Sequence, residues 1–209
     1  MNRLLLGSLL VLLVVSVPSA FAHNLISAYP DNRVIDNAVQ LPSVLDGSWF
    51  TLEVSDGNTI HYYQLDLERN QEVGMIQVLV PATNQPLDVY ELNVISSTTS
   101  LVAVPLEEPV LFTEEITQSD WYIIYDETFV APETDTYTFI ISNVSGESGK
   151  FAFVIGNDEE FILDNFIFIL PSAIFQIKWF FDDFLFFILL FSVLIIIDFV
   201  IVKKFKKRK

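Results

Sequence analysis

Two histidines are the side chains of this sequence best suited to bind a metal ion. If a leader is cleaved after Ala22, His23 becomes the first residue, and its free amine and imidazole can chelate one copper ion. The other histidine is His61. With one carboxylate the two would form a tetragonal nitrogen and oxygen site suited to Cu(II), the candidates being Asp31, Asp36 and Asp66. Alternatively His23 has no ligand role and His61 packs beside its strand neighbours, because two histidines have no recognisable ligand spacing.

Acidic runs are a second candidate for cation binding. They occur at four places, which are Glu107-Glu108, Glu114-Glu115, Asp126-Glu127 and Asp158-Glu159-Glu160. Ca²⁺ takes about six to eight oxygen ligands, but no Asp-x-Asp-x-Asp-Gly loop or similar cage is present. We therefore interpret these runs as solvated loop charge, which also opposes aggregation through sheet edges, and we predict no resident cofactor.

One modification motif stands out. Asn143-Val144-Ser145 is an N-glycosylation sequon at the end of a predicted strand, before a Gly/Ser loop. We expect Asn143 to be accessible for modification if the producing cell has N-glycosylation.

Composition and motifs argue against several function classes. The formal net charge of −16 excludes a nucleic-acid binder, and the absence of cysteine excludes disulfides, thiolate zinc sites and a cysteine nucleophile. The sequence contains no Gly-x-Ser-x-Gly, no Gly-rich phosphate loop and no His-Glu-x-x-His. A hydrolase triad would have to take its base from one of the two histidines. We therefore predict that the protein is not an enzyme.

The elements that must position these residues are β-strands. From His23 to about Asn157 the apolar pattern has period two and turn residues recur regularly. The candidate strands are Trp49–Val54, Thr59–Leu67, Gly74–Val80, Leu87–Ile95, Leu101–Val104, Trp121–Tyr125, Thr136–Ser142 and Lys150–Ile155. Asp56-Gly57 is typical of a tight hairpin, in which glycine accepts a positive φ. We predict an all-β exported domain, an antiparallel β-sandwich of about seven to eight strands over 23–160.

Aromatic residues on or near these strands could form either a binding surface or part of the core. The residues concerned are Trp49, Tyr62, Tyr63, Trp121, Tyr122 and Tyr125. An exposed cluster would be a platform for protein or carbohydrate, but alternating strand positions favour the core. We expect most of them to be buried.

Both ends of the sequence carry membrane-targeting features. Residues 1–22 have a positive Arg3, an apolar run and an Ala20-Phe21-Ala22 cleavage motif, as in a secretory signal peptide. Residues 184–202 are apolar with one charge and, as a helix, would span roughly 28 Å. The tail 203–209 contains Lys203, Lys204, Lys206 and Lys207, which the positive-inside rule assigns to the cytoplasm. We predict one C-terminal transmembrane α-helix with the N-terminal domain outside the cell membrane.

The segment 161–183 joins the predicted domain and span. It is apolar but interrupted by Asp164, Asn165, Pro171 and Lys178, and we interpret it as membrane-proximal, with Ser172 capping a helix that continues into the membrane. A second span would put the domain on the side of the basic tail and conflict with the signal peptide. Trp179 is the expected interface aromatic, and Asp198 is near enough to the tail to be hydrated or to pair with lysine.

Two stretches resemble a known family. Residues 131–156 (APETDTYTFIISNVSGESGKFAFVIG) look like the closing hairpin of the pre-peptidase C-terminal (PPC) β-sandwich superfamily, and residues 47–81 are similar to its opening strands. Residues 149–161 (GKFAFVIGNDEEF) also resemble uncharacterised, signal-bearing, C-terminally anchored envelope proteins of archaea and bacteria. These resemblances imply a fold and a location and transfer no catalytic residue.

A second resemblance is to p24-type (GOLD) cargo receptors, which are also signal-bearing, β-sandwich, single-span proteins. The last four residues, Lys206 to Lys209, satisfy their KKxx pattern. This sequence departs from them in lacking the cysteine pair and a heptad stretch before the membrane.

These observations favour a membrane-anchored binding or structural module. The stretch from His23 to Lys178 carries 24 acidic and 4 basic residues, a net charge of −20, whereas the tail adds +6. The expected partner is another envelope protein or a polysaccharide, together with the membrane itself. The alternatives are a copper-binding envelope protein that uses His23 with His61, and a cargo receptor.

Overall fold

The structure of the protein, a computed structural model, describes residues 24–25, 32–46, 48–83, 87, 89–114, 117–157 and 174–206. The predicted signal peptide, His23, Asp31, the acidic run 158–160 and Ser172 lie outside these ranges, as does Lys207. The side chains of Asp198, Lys204 and Lys206 are also outside the description.

The described residues form strands followed by two helices. The strands are β1 (Asn24–Leu25), β2 (Val39–Gln40), β3 (Ser48–Ser55), β4 (Ile60–Leu67), β5 (Glu72–Pro81), β6 (Tyr90–Ile95), β7 (Ser100–Val102), β8 (Val110–Glu114), β9 (Ser119–Val130), β10 (Asp135–Asn143) and β11 (Gly149–Gly156). Short 3-10 turns occupy Ile35–Asn37 and Val44–Asp46. The helices are α1 (174–180) and α2 (Phe184–Lys206).

Two sheets pack face to face, as the period-two pattern predicts. Sheet A has the order β1-β3-β11-β5-β9-β8, and sheet B has the order β2-β4-β10-β6-β7. Inward-facing residues alternate along each strand: Tyr137, Phe139 and Ile141 of β10 are fully buried, as are Phe151 and Phe153 of β11. The predicted β-sandwich is therefore confirmed for the described residues. Of the six aromatic residues expected to be mostly buried, Tyr63 and Tyr125 belong to the interior between the sheets and Trp121 is buried on the outer face of sheet A. The other three, Trp49, Tyr62 and Tyr122, are half-buried.

Three strands were not predicted. β1 and β2 are two residues long and pair in parallel with β3 and β4, so they are too short to show a periodic pattern. β8 follows Glu107-Glu108-Pro109 and exposes most of its residues, which hides the alternation expected of a half-buried strand. β9 runs five residues past the predicted end at Tyr125.

The turn at Asp56-Gly57 connects the two sheets and does not close a hairpin. β3 pairs with β1 and β11, whereas β4 pairs with β2 and β10, so the prediction of a hairpin is wrong. The positive φ in this turn, 62°, belongs to Asn58. Gly57 is required for space, because a Cβ there would overlap the backbone of Gly146 in the facing β10–β11 turn.

A third layer covers the outer face of sheet A. Ile177 and Phe180 of α1 pack against Phe50, Trp121 and Val154 on that face, and all five are buried. α1 ends before Asp182, whose φ is 56°, and α2 begins at Phe184. The expected continuous helix into the membrane is therefore interrupted, and its residues 174–181 belong to the folded domain.

No helix formed by the described residues is long and apolar enough to cross a membrane. Within α2, every side chain is described only from Phe184 to Ile196.

Gly57→Ala should lower the free energy of unfolding by about 2 to 3 kcal/mol, because the new methyl group would push the two turns apart. Gly74→Ala is the matched control, since its Cβ would meet only the Asn157 side chain, at 3.2 Å. Urea titration of both variants measures the difference. Equal losses at the two positions would contradict the close approach of the turns.

Candidate functional site

A buried polar cluster lies between the sheets, next to the turn that connects β3 to β4. Its members are Asn32, Glu53, His61 and Tyr63, defined here as the polar cluster, and each is at most 5% exposed. Glu53 comes from sheet A, His61 and Tyr63 come from sheet B, and Asn32 precedes both sheets' first long strands. The cluster therefore joins three separate parts of the chain.

The hydrogen bonds of the polar cluster converge on Glu53. Its Oε1 accepts from the Tyr63 hydroxyl at 2.9 Å and from Asn32 Nδ2 at 3.2 Å. His61 Nδ1 lies 3.0 Å from Asn32 Oδ1 and 3.6 Å from Glu53 Oε2. Because the Asn32 amide already donates to Glu53, its oxygen is the acceptor for His61, so the imidazole carries its proton on Nδ1.

Burial keeps the acid and the imidazole neutral over a wide pH range. It raises the pKa of Glu53 from 4.5 to about 7, although the hydrogen bonds from Tyr63 and Asn32 and the charge of Arg33 lower it in part. Burial also lowers the pKa of His61 from 6.5 to about 4, and Arg33 acts in the same direction. Between about pH 4 and 7 the two side chains are therefore a carboxylic acid and a neutral imidazole, and not an ion pair.

Two buried polar atoms beside Phe151 have no partner among the described residues. They are Nε2 of His61 and the hydroxyl of Tyr90. Both rings contact Phe151, at centroid distances of 5.1 and 5.0 Å. His61 therefore exposes its free nitrogen to an aromatic core and not to solvent.

The burial of the polar cluster favours a structural role over metal binding. His61 is 2% exposed, so a metal ion could reach it only if the core opened. No group of three or more His, Asp or Glu within the described ranges is placed to hold a metal ion. The pairing of His61 with His23 stays a prediction, because His23 lies outside those ranges. Asn24 pairs with Trp49, which is about 13 Å along β3 from Glu53.

Two of the acidic candidates from the sequence have partners within the domain. The Asp66 carboxylate accepts from Thr136 Oγ1 at 2.6 Å, and that of Glu114 accepts from the Thr117 backbone at 2.6 Å. Asp36 is exposed, and the structure does not bring it together with Asp66 or His61 into a ligand set.

Asn143 of the sequon is buried in the folded domain. It is 3% exposed, its amide donates to the Glu147 carbonyl at 2.8 Å, and its oxygen accepts from Ser145. The expectation of an accessible side chain is therefore wrong for the folded state, because a tight turn uses both ends of the amide. Glycosylation itself stays a prediction.

A second feature of the domain is the contact of α1 and Phe181 with sheet A, which we call the helix clamp. The Trp121 ring stacks on Phe180 at 5.9 Å and meets Phe181 edge-on at 4.7 Å. Lys150 Nζ donates to the Phe180 carbonyl and to Asp182 Oδ2, both at 2.6 Å. The sequence does not predict this clamp, because an apolar stretch such as 161–181 does not reveal whether it contacts lipid or protein.

The turn 181–183 ends one helix and begins the next. The N–H of Asp183 bonds to the Lys178 carbonyl and that of Asp182 to the Trp179 carbonyl, which with the positive φ of Asp182 is a Schellman motif. Asp183 Oδ1 then accepts the Phe186 N–H at 3.1 Å as the N-cap of α2. Lys178 pairs with Asp183 at 2.9 Å and lowers the pKa of that carboxyl. The turn therefore has no unsupported residue that would act as a free hinge.

Trp179 lies where the two helices meet. It is 61% exposed, and its ring contacts Phe184 at 6.1 Å and Phe187 at 5.8 Å. Lys203, the basic residue whose side chain is described in α2, is exposed and has its Nζ 5.9 Å from the Phe199 ring. Their predicted role as membrane anchors is compatible with these positions and stays a prediction.

Glu53→Gln should change how stability depends on pH. In the wild type, folded Glu53 holds its proton up to about pH 7 while the unfolded chain releases it near 4.5, so this group's contribution falls by about 3 kcal/mol as the pH rises through that window. His61 acts oppositely, since its contribution rises from about pH 4 to 6.5. The variant keeps only the rising contribution of His61, so it should gain stability relative to the wild type as the pH rises.

His61→Gln is the matched counterpart and should lose stability relative to the wild type over the same window. Urea unfolding of the full chain at several pH values between 4 and 7.5 measures both differences. Parallel pH profiles for the two variants and the wild type would contradict the shifted pKa values.

Lys150→Met should loosen the helix clamp. It removes two hydrogen bonds from a partly exposed ammonium group, which we expect to cost about 1 kcal/mol and to speed amide hydrogen exchange of 174–183 roughly fivefold. Arg69→Met, which removes an exposed cation at the β4–β5 turn, is the control. Unchanged exchange in the lysine variant would show that the aromatic contacts alone hold α1.

Comparison with known proteins adds no family. No family model and no curated protein matches the sequence. Among solved structures, the chain is similar to PliG of Salmonella Typhimurium, a periplasmic inhibitor of g-type lysozyme, with 9% identity over 65% of this chain and 98% of that chain and a TM-score of 0.36. PliG of Aeromonas hydrophila gives 12% identity, the same coverage and a TM-score of 0.33. Likeness at this level carries no argument about function, and the resemblances to PPC domains and p24 receptors stay predictions.

Proposed function

We propose that this protein is held on the outer face of a cell membrane and that its acidic β-sandwich recognises another envelope protein. In this proposal the signal peptide 1–22 is removed, 184–202 crosses the membrane once, and the basic tail remains in the cytoplasm. The domain acts by binding and not by catalysis.

The observation that carries the proposal is the helix clamp together with its capped turn. α1 is fixed to sheet A by Trp121 and Lys150, and the helix that follows starts after three residues, each held by backbone or side-chain hydrogen bonds. A long flexible linker would need none of these contacts. The clamp therefore supports a domain held close to its anchor at a fixed orientation.

The side chains of α2 support a lipid environment for this helix. The described residues from Phe184 to Ile196 include ten large apolar side chains that are exposed, which are Phe184, Leu185, Ile188, Leu189, Leu190, Phe191, Val193, Leu194, Ile195 and Ile196. An apolar surface that extends around a whole helix is unfavourable in water and is typical of contact with lipid or protein. The sequence of 184–202 has the length of a bilayer span. Trp179 beside Phe184 suits the headgroup region.

The charges support the same orientation. The outer domain carries −20, so it is repelled by anionic headgroups, whereas six cationic side chains follow the apolar stretch and are attracted to them at about 1 kcal/mol each. Lys150 and Lys178, two of the four cations of the domain, lie beside the capped turn, where they pair with Asp182 and Asp183.

Topology can be tested in the producing cell with an epitope tag placed after Lys209 and a second tag in the exposed connection at Glu107-Glu108. Protease added to intact cells should remove the tag in the domain and leave the C-terminal tag. The protein should stay in the membrane fraction after alkaline carbonate extraction, and N-terminal sequencing should begin at His23.

Replacing Leu189 and Leu194 by Arg tests the anchor, because both side chains are exposed on α2. The substituted chain should leave the membrane fraction, since charge at the centre of a span is costly. Digestion of the C-terminal tag in intact cells, or retention of the doubly substituted chain, would overturn the proposed anchor.

A further inference from the structure

One side of the sandwich exposes aliphatic side chains on two edge strands. β7 lies at the end of sheet B and β8 at the end of sheet A, and residues 103–109 connect them. We call this surface the β7–β8 edge. Its exposed members are Leu101 at 46%, Val102 at 73%, Val104 at 72%, Val110 at 53% and Leu111 at 58%.

Both strands are open to further pairing within the described residues. β7 pairs only with β6, and β8 pairs only with β9. Each strand therefore presents a row of backbone N–H and C=O groups on its outer side. Exposed sheet edges usually carry lysine or proline, but here Pro105 and Pro109 lie in the connection and no lysine is present in either strand.

The strands that form the β7–β8 edge and their partners carry charge of one sign. The sequence from 90 to 130, which contains β6 to β9, has no lysine or arginine and eight acidic residues, which are Glu91, Glu107, Glu108, Glu114, Glu115, Asp120, Asp126 and Glu127. The edge is thus an apolar strip within a strongly negative part of the domain.

The exposed aliphatic side chains, the open backbone groups and the negative charge together favour one kind of binding partner. A second copy of the chain would bring the same acidic residues face to face, and an anionic lipid surface would be repelled. A carbohydrate platform would present aromatic rings, whereas these exposed side chains are aliphatic. An extended protein segment with alternating basic and apolar residues matches the strip, the acidic surroundings and the open backbone groups together.

We propose that the β7–β8 edge binds a basic, extended segment of another protein, which pairs with β8 and adds to sheet A as a further strand. This inference rests on the proposed recognition function and names its surface and partner chemistry. Alternate side chains of a strand added to β8 lie on opposite faces, so its apolar residues cover Leu111 while its cations lie on the face of Val110 and Glu114. Backbone hydrogen bonds at the edge hold it in register.

A short synthetic peptide that alternates lysine and valine is a suitable probe, with the full chain in detergent micelles. Its affinity, measured by fluorescence anisotropy, is compared with that of the same peptide methylated on alternate backbone nitrogens. Methylation preserves the charge but removes the donors for strand addition, so we expect binding to weaken by about tenfold or more. A peptide with glutamate in place of lysine should show no binding at the same concentrations.

Single substitutions test whether the peptide binds at the β7–β8 edge. Val110→Lys should weaken binding of the basic peptide several-fold by charge, and Leu111→Lys should do so by charge and by loss of apolar contact. Val54→Lys is the matched control, because Val54 is 54% exposed but lies on β3, away from this edge. Circular dichroism verifies that all three variants are folded.

Equal binding of the methylated peptide, or equal weakening by Val54→Lys, would reduce the interaction to charge alone and overturn the edge site. Absence of binding by the basic peptide would overturn it as well. These outcomes are independent of the proposed anchor, since the topology experiment succeeds or fails without any peptide.

Discussion

The passage of the chain from β3 in sheet A to β4 in sheet B is the constraint on which much of this domain depends. Because consecutive strands lie in opposite sheets, their inward side chains face each other across the core. Glu53 therefore meets Tyr63 and His61, and the burial of three polar groups becomes tolerable only because they bond to one another and to Asn32. Gly57 keeps this passage tight by allowing the facing turn at Gly146 to approach.

The positions of most strands can be predicted from the sequence, whereas the assignment of each strand to a sheet cannot. Alternation identifies β10 and β11 because Tyr137, Phe139 and Phe151 have fully buried, apolar environments. A local turn signal such as Asp56-Gly57 indicates a reversal but cannot tell whether the next strand joins the same sheet. For the same reason the polar cluster escapes prediction: Asn32 bonds to a residue 21 positions away, and no spacing rule links them.

The apolar stretch before the predicted span shows a related limit. Ile177 and Phe180 have the composition of a lipid contact, yet they complete a protein surface on sheet A. What decides between these environments is the complementary face, Phe50, Trp121 and Val154, which belongs to three different strands. Sequence patterns report how apolar a segment is, whereas its partner depends on which strands become neighbours.

β9 connects the helix clamp to the β7–β8 edge. Trp121 stacks on Phe180 of α1, and in the sheet it is the register partner of Phe112 in the edge strand β8. Successive strand residues point to opposite faces, so Phe112 belongs to the face that α1 covers while Leu111 belongs to the other. A segment added to β8 would therefore lie directly beside the layer that α1 forms. Because α1 is joined to α2 through a capped turn, the direction in which this edge faces is set by the same contacts that fix the domain to the helix after it.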